Sequence, residues 1–572
     1  MSTPSPPSEK NDGSGGTIIP PSSQKPIPKK YLLLSYLLGV TWVLLHPIAS
    51  ITTGEFKCRG TFMDEHAFLL EYFPTADPNR FFLEESSIPA TSSFCSIASS
   101  LEISCYTIDD ISVAAISPTK SQTVPTESIA IIVSPPGEGK TWWNSHFHKG
   151  LLELMSRLSS APWLTKTILF VTSTSPSSSS SSLSLTKLSR GFIQLLSPPP
   201  GRGRHQRASS PLSPKITSLI LRHAICLEVT TAPARSNSKV IRVLPQGRHG
   251  NLPNLDYAYG YLRTVRSAVA VRKVSVELHA FAKVLTRWKA RVPHGVGVPG
   301  WYVDDLLGMV GFMGSMVLGA RPPHSPFLEV GIDSFSVQAR LPSSDMTVMH
   351  VSLEHFMRGL SNLEERLHHS VVQYLLLSTK KFVSNGEYIY PTLLLLLPAV
   401  IVGLELAMRG GRRGWGVTWL VVKVMWGICA LPLTLLSTVI TVSPMAYTAN
   451  YTGCLLLLQL QIRDQQQYMK TTQQQITQRL QFLACACLVY THVPLLLTNI
   501  SLALPSTLLF SPLVVTALSS KIYRVTRLLM MIILLLTLPP LFLVPKLFGG
   551  YTLYVLALYT PMHLLLTTLW LL

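Results

Sequence analysis

Apolar residues gather into long uncharged runs near the two ends of this chain, and that placement limits its fold more than any other feature. Tyr31–Ser50 (YLLLSYLLGVTWVLLHPIAS) carries no Asp, Glu, Lys or Arg, and its length is what a helix needs to cross hydrocarbon. No comparable run follows until Tyr388, after which such runs crowd together. The pattern predicts one span, a water-exposed region of about 320 residues that suffices for one large core, and then a polytopic bundle. Spans are read near 388–408, 417–441, 445–462, 480–504, 505–520, 528–545 and 550–572, about eight with the first.

The flanks give the orientation. Residues 1–30 are rich in Pro, Ser and Gly and end in Lys25, Lys29 and Lys30, which reads as a disordered arm. Positive charge ahead of the first run keeps that end in the cytosol and makes 31–50 a signal-anchor rather than a cleaved peptide. The span count then puts Arg409, Arg412 and Arg413, Arg463, Lys470 and Arg479, and Lys521, Arg524 and Arg527 in cytosolic loops. Asn450-Tyr451-Thr452 falls in a lumenal loop as a glycan acceptor. Only 13% of the 572 residues are charged, about half the usual soluble share. The net charge of +19 is therefore assigned to cytosolic loops and anionic lipid, and no nucleic-acid partner is expected.

Between the membrane runs, short β-rich stretches alternate with helical ones. Ile129–Ser134 and Thr167–Thr172 read as buried strands flanking an amphipathic helix at His148–Leu158, a βαβ unit. Ala224–Thr230 and Phe335–Leu341 read as further strands, so a mostly parallel α/β sheet over 51–350 is predicted. Ser175–Ser184 and Ser197–Pro214 read as low-complexity surface insertions. Gln246–Asp256 reads as loop. Within 351–387, Phe356, Leu360, Leu363, Leu367 and Val371 form one stripe, which suits a helix on the membrane surface or one packed on the sheet. Lys380, Lys381, Phe382, Tyr388 and Tyr390 then combine cations and aromatics ahead of the second span, a headgroup-level composition.

Two motifs are set aside on chemistry. Pro136–Thr141 ends in Gly-Lys-Thr after a strand, but a phosphate loop needs Gly where Ser134 stands. His146 and His148 lie two apart without neighbouring Cys or carboxylate partners to complete a zinc site.

Taken together, TESIAIIVSPPGEG (126–139), WLTKTILFVTS (163–173), HGNLPNLD (249–256), LSNLEERLHHSVVQYLL (360–376) and KFVSNGEYIYP (381–391), behind a single first span, resemble the GPI-anchor attachment subunit of glycosylphosphatidylinositol transamidase. That resemblance implies a non-catalytic endoplasmic-reticulum subunit that binds the GPI lipid and scaffolds a complex. A caspase-like cysteine protease subunit would supply the nucleophile. It also implies a lumenal domain shaped like a zinc aminopeptidase that has lost its metals. The ligand positions carried over read Pro135-Pro136, Ser145 or His146, and Val171-Thr172-Ser173, leaving Glu228 and His324 as vestiges. Two such groups cannot hold a hydrolytic zinc pair, so no metal and no cofactor are expected. The alternative is a membrane-tethered zinc metallopeptidase or an amide-forming relative.

Charge and aromatic placement beside the apolar spans puts this chain's share of the GPI site where the first spans meet the lumen. After the first span the family reads Thr-Tyr-x-Ser-Glu-Asn-Ala, whereas 52–57 here keeps only Glu55 of the headgroup contacts, a carboxylate able to pair with an ethanolamine ammonium. Glu55, Lys380, Lys381, Phe382, Ser384, Tyr388 and Tyr390 are the candidate GPI-binding residues. Cys58, Cys95, Cys105 and Cys226 lie in an oxidising compartment, and the sequence leaves their pairing open.

Overall fold

A computed structural model describes residues 28–52, 93–118, 127–136, 142, 145–174, 182–196, 219–232, 239–247, 255–269, 274–278, 299–317, 322–362, 375–379, 381–383, 385–409, 473–498 and 500–516. The arm before residue 28, Glu55, Cys58, Lys380, Ser384, Asn450 and the spans read at 417–441, 445–462, 528–545 and 550–572 lie outside them, as does most of both low-complexity stretches.

The sheet is built on apolar runs that need burial on both faces. β3 (Glu127–Val133), β4 (Thr167–Ser173), β5 (Ile220–Thr231) and β8 (Asp333–Leu341) lie side by side in parallel, in the order β4-β3-β5-β8. This is the continuous apolar pattern of a strand covered above and below. An antiparallel hairpin, β1 (Ser104–Ile108) and β2 (Ile111–Ile116), extends one edge against β4. β6 (Val240–Leu244) runs antiparallel to β8 and carries the short β7 (Ser275–Glu277) on the other edge. The sheet is therefore mixed, with its parallel strands at the centre.

Side chains alternate across the sheet with the period of two that a strand imposes. Ile129, Ile131, Phe170, Ile225, Leu227, Phe335 and Val337 face one layer of helices: α3 (His146–Ser159), α5 (Leu255–Val269) and α8 (Thr347–Asn362). Ala130, Ile132, Leu169, Val171, Ala224 and Cys226 face α4 (Ser182–Leu196) and the short α7 (Ser325–Glu329), which insert Leu185, Phe192 and Phe327. The Gln246–Asp256 stretch, read as loop, runs into α5, which begins at Leu255. Phe356 and Leu360 of the amphipathic stripe are fully buried in the sheet core on α8, so the described part of that helix packs on the sheet rather than on a membrane surface. Its last carbonyls are capped from outside, Leu360 O by Lys166 Nζ at 2.9 Å and Ser361 O by Thr165 at 3.1 Å. A cation at a helix C-terminus also meets the negative end of its dipole.

Cys95 and Cys105 are disulfide-bonded, tying α2 (Phe94–Ser100) to β1, while Cys226 is buried and free.

Three described helices are long and apolar enough to cross a membrane: α1 (Lys29–Thr52), α9 (Asn385–Arg409) and α10 (Gln473–Thr498). A fourth, α11 (Ile500–Thr516), is apolar but shorter. The break between the last two falls near residue 499, not at the expected 504. Proline removes an amide hydrogen and frees the carbonyl four residues earlier, and in an apolar bundle a neighbour must satisfy it. Pro398 in α9 frees Leu394 O, which accepts from Ser35 at 3.0 Å. Pro512 in α11 frees Leu508 O, which accepts from Tyr36 at 2.8 Å. Consecutive hydroxyls of α1 thus fill the two gaps. The remaining described helix, α6 (Gly300–Val317), packs against α1, α11 and the hairpin strand β9 (Leu375–Leu376), which pairs with β10 (Phe382–Val383). One apolar cluster continues from the sheet through Met309, Phe312 and Leu377 to Leu395, Leu496 and Leu504 of the bundle.

Candidate functional site

Two places carry the expected site residues: the sheet around Glu228 and His324, and the junction between sheet and bundle.

His324 and Glu228 are brought to one face of β8 by its register. Ser336 pairs across from Cys226 and Gln338 from Glu228, so the two β8 residues lie on the same face, about 7 Å apart by strand rise. His324 is fully buried. Its Nε2 donates to Gln246 O at 2.8 Å, which fixes the tautomer and leaves Nδ1 to accept from Ser336 Oγ at 2.7 Å. Burial pushes its pKa down to about 4, against a smaller upward pull from the Gln246 carbonyl. Glu228 is half-buried and accepts from Gln338 Nε2 at 2.8 Å. Pro135 and Pro136, at the end of β3, offer no side-chain donor. His148 is committed in the same way as His324, donating from Nε2 to Ser134 O at 2.9 Å and accepting at Nδ1 from Ser145 at 2.8 Å. Among the described residues no three His, Cys, Asp or Glu side chains converge as metal ligands. A zinc pair needs about three ligands per metal, so these residues do not fit one.

The junction holds the described members of the other candidate set. Lys381 Nζ lies 2.6 Å from Asp305 Oδ2 and 5.1 Å from the Trp301 ring centroid. Phe382 meets Tyr259 edge-on with centroids 5.9 Å apart. Tyr388 is 2% exposed, packed into the continuous core. Tyr390 is 60% exposed and stacks on Trp42 of α1 at 6.3 Å. The structure thus brings Lys381, Phe382, Tyr388 and Tyr390 to one region but turns Tyr388 inward. Sequence reasoning missed Asp305, Trp301 and Tyr302, which α6 delivers to the same place. The available signal was an apolar segment, 300–317, opening with Trp-Tyr and interrupted only by two aspartates.

The family model described as "Gaa1-like, GPI transamidase component" matches residues 207–558, more than half of the chain. The chain belongs to that family. The match runs from the second half of the sheet domain through α9, α10 and α11, so membership covers both parts of the molecule. A curated relative, the GPI transamidase component gaa1 of Schizosaccharomyces pombe (strain 972 / ATCC 24843), is 28% identical over 205 residues, 35% of this chain and 31% of that protein. The chain thus spans about a third of the length of the curated relative it matches. Among solved structures, the zinc aminopeptidase BSAP from Bacillus subtilis shares 11% identity over 46% of this chain and 52% of its own, with a TM-score of 0.25. An aminopeptidase from Aneurinibacillus sp. strain AM-1 shares 11% over 45% and 49%, at 0.23. Neither likeness bears on activity.

Proposed function

We propose that this chain is a multi-pass endoplasmic-reticulum subunit of the GPI transamidase complex, which binds and positions the GPI lipid and scaffolds the assembly without supplying a catalytic group. The observation that carries the reading is the family match across sheet and bundle together. The commitment of both His324 nitrogens to Ser336 and Gln246 supports a lumenal domain that recognises rather than hydrolyses. Its partners are the other subunits, the caspase-like catalytic one included, together with the GPI lipid and the bilayer.

The GPI site is assigned to Glu55, Lys380, Lys381, Phe382, Ser384, Tyr388 and Tyr390. Exposed Tyr390 offers direct contact with the lipid, whereas buried Tyr388 would hold the α9 end in place. The test is purification of the tagged full chain in mild detergent, with mass spectrometry of co-purifying proteins, zinc analysis and photo-crosslinking by a GPI analogue. Recovery of a caspase-like subunit without zinc, and crosslinks at Tyr390 or its neighbours, are the expected results. A lone protein with stoichiometric zinc would overturn the reading, and crosslinks confined to distal spans would overturn the site.

A further inference from the structure

We propose that α6 is a membrane-interface helix whose outward face rests in the leaflet at the sheet-domain end of the bundle. Its 18 residues, GWYVDDLLGMVGFMGSMV, contain two charges, Asp304 and Asp305. One face is core: Met309, Phe312 and Met313 are buried against the β9 strand and the bundle. The other is apolar and uncovered. Val310 is 50% exposed, and half-exposed Val303, Leu307 and Gly314 continue the same stripe at helical spacing. On a helix bathed in water such a stripe would stay hydrated at a standing free-energy penalty.

What covers it follows from what α6 is fastened to. Tyr302 Oη donates to Leu44 O of α1 at 2.8 Å, which holds the start of α6 beside a helix apolar enough to cross the bilayer. α6 also packs on α11. Trp301 and Tyr302 are in edge contact, and α1, to which Tyr302 is bonded, carries Trp42, which stacks on Tyr390. Trp and Tyr gather at that depth because their rings are apolar and their N–H and O–H groups find water or headgroups. The two aspartates divide accordingly. Asp305, 5% exposed, is neutralised by Lys381, which removes the isolated charge that would forbid insertion. Asp304 is exposed and marks the aqueous side. The occupant is therefore the glycerol and upper acyl region of bilayer lipid. The inference requires only that α1 crosses a membrane and stands apart from any transamidase role.

The experiment places a fluorescent amino acid singly at Leu307, Val310, Asp304 or, on α1, Leu37 of the full chain in phosphatidylcholine nanodiscs. Quenching by lipids doxyl-labelled at an upper acyl carbon is compared with quenching by aqueous iodide. Leu307 and Val310 should be quenched at least about 2-fold more by lipid than by iodide, with the reverse at Asp304. Iodide quenching at Leu307 and Val310 equal to that at Asp304, while Leu37 is quenched by lipid, overturns the proposal and leaves the spans intact. Quenching by neither reagent means protein covers the face, which also overturns it. Failure of lipid quenching at Leu37 removes the bilayer from α1 and the proposal with it.

Discussion

Lys381, a candidate headgroup contact in the sequence, is also tied into the fold by an ion pair. Its ammonium is held by Asp305, 8% exposed at the side chain, so removing one partner leaves a nearly buried charge alone. Lys381→Met is expected to destabilise the full chain by about 2–4 kcal/mol, and Asp305→Asn with Lys381→Met to recover part of that loss. Denaturant unfolding of the single and double variants measures it, and additive effects would deny the pair. The buried histidines make a second prediction. Burial lowers His324 and His350 to about 4 and His223 to about 3, while the unfolded chain titrates near 6.5. The unfolded state then binds more protons as pH falls from about 6.5 to 4, so stability present above 6.5 is lost across that window. Each full shift is worth on the order of 3 kcal/mol. The thermal midpoint should fall between pH 7 and 5, and His350→Gln should flatten the slope. Neither pattern was legible beforehand, because a histidine in a sequence carries no mark of its burial.

Elements were legible in proportion to how locally their burial is written. β3, β4, β5 and β8 stand within a few residues of the predicted strands because a strand covered on both faces is a continuous apolar run. β1 and β2 went unread: β1, at the sheet edge, has only exposed and half-buried positions, and β2, though mostly buried, is a short run of six residues. β6 and β7 are short, and Arg242 of one pairs with Glu277 of the other at 2.9 Å, so their charges masked them. α6 was missed because its aspartate is neutralised by a lysine far along the chain. Close approach gives these elements a test. A Cβ on Gly150 of α3 would stand 2.6 Å from His350 Nδ1, and that ring is fixed by its bond from Nε2 to Phe147 O at 2.9 Å. Gly150→Ala should therefore lower stability by about 1–3 kcal/mol through overpacking, despite the alanine's better helix propensity. A midpoint equal to or above wild type would show that α8 can yield.

At the scale of the whole molecule, the bundle is ordered by contacts that no local pattern announces. The prolines of α9 and α11 were visible in the sequence, but only the fold shows that adjacent residues of α1 answer both. Tyr36→Phe leaves Leu508 O without its donor in apolar surroundings, and a loss of about 1–2 kcal/mol is expected, read as a lower detergent-unfolding midpoint. The same contacts fix relative direction. Ser35 meets Leu394 and Trp42 meets Tyr390, so α1 and α9 are antiparallel, while Gly403 lies beside Cys485 and Gln481 bonds Val514 O. The start of α1, the end of α9 and the start of α10 therefore share one end of the bundle. Lys29, Lys30, Arg409 and Arg479 stand there, and the sheet domain occupies the other end. By the excess of Lys and Arg on cytosolic flanks, the basic end should face the cytosol and the sheet the lumen. In sealed microsomes, protease added outside should spare the sheet domain, and a tag at residue 410 should be cleaved. Cleavage within residues 93–362 while the tag survives would invert the molecule, moving the Tyr390 region to the cytosolic face and out of reach of a lumenal GPI headgroup.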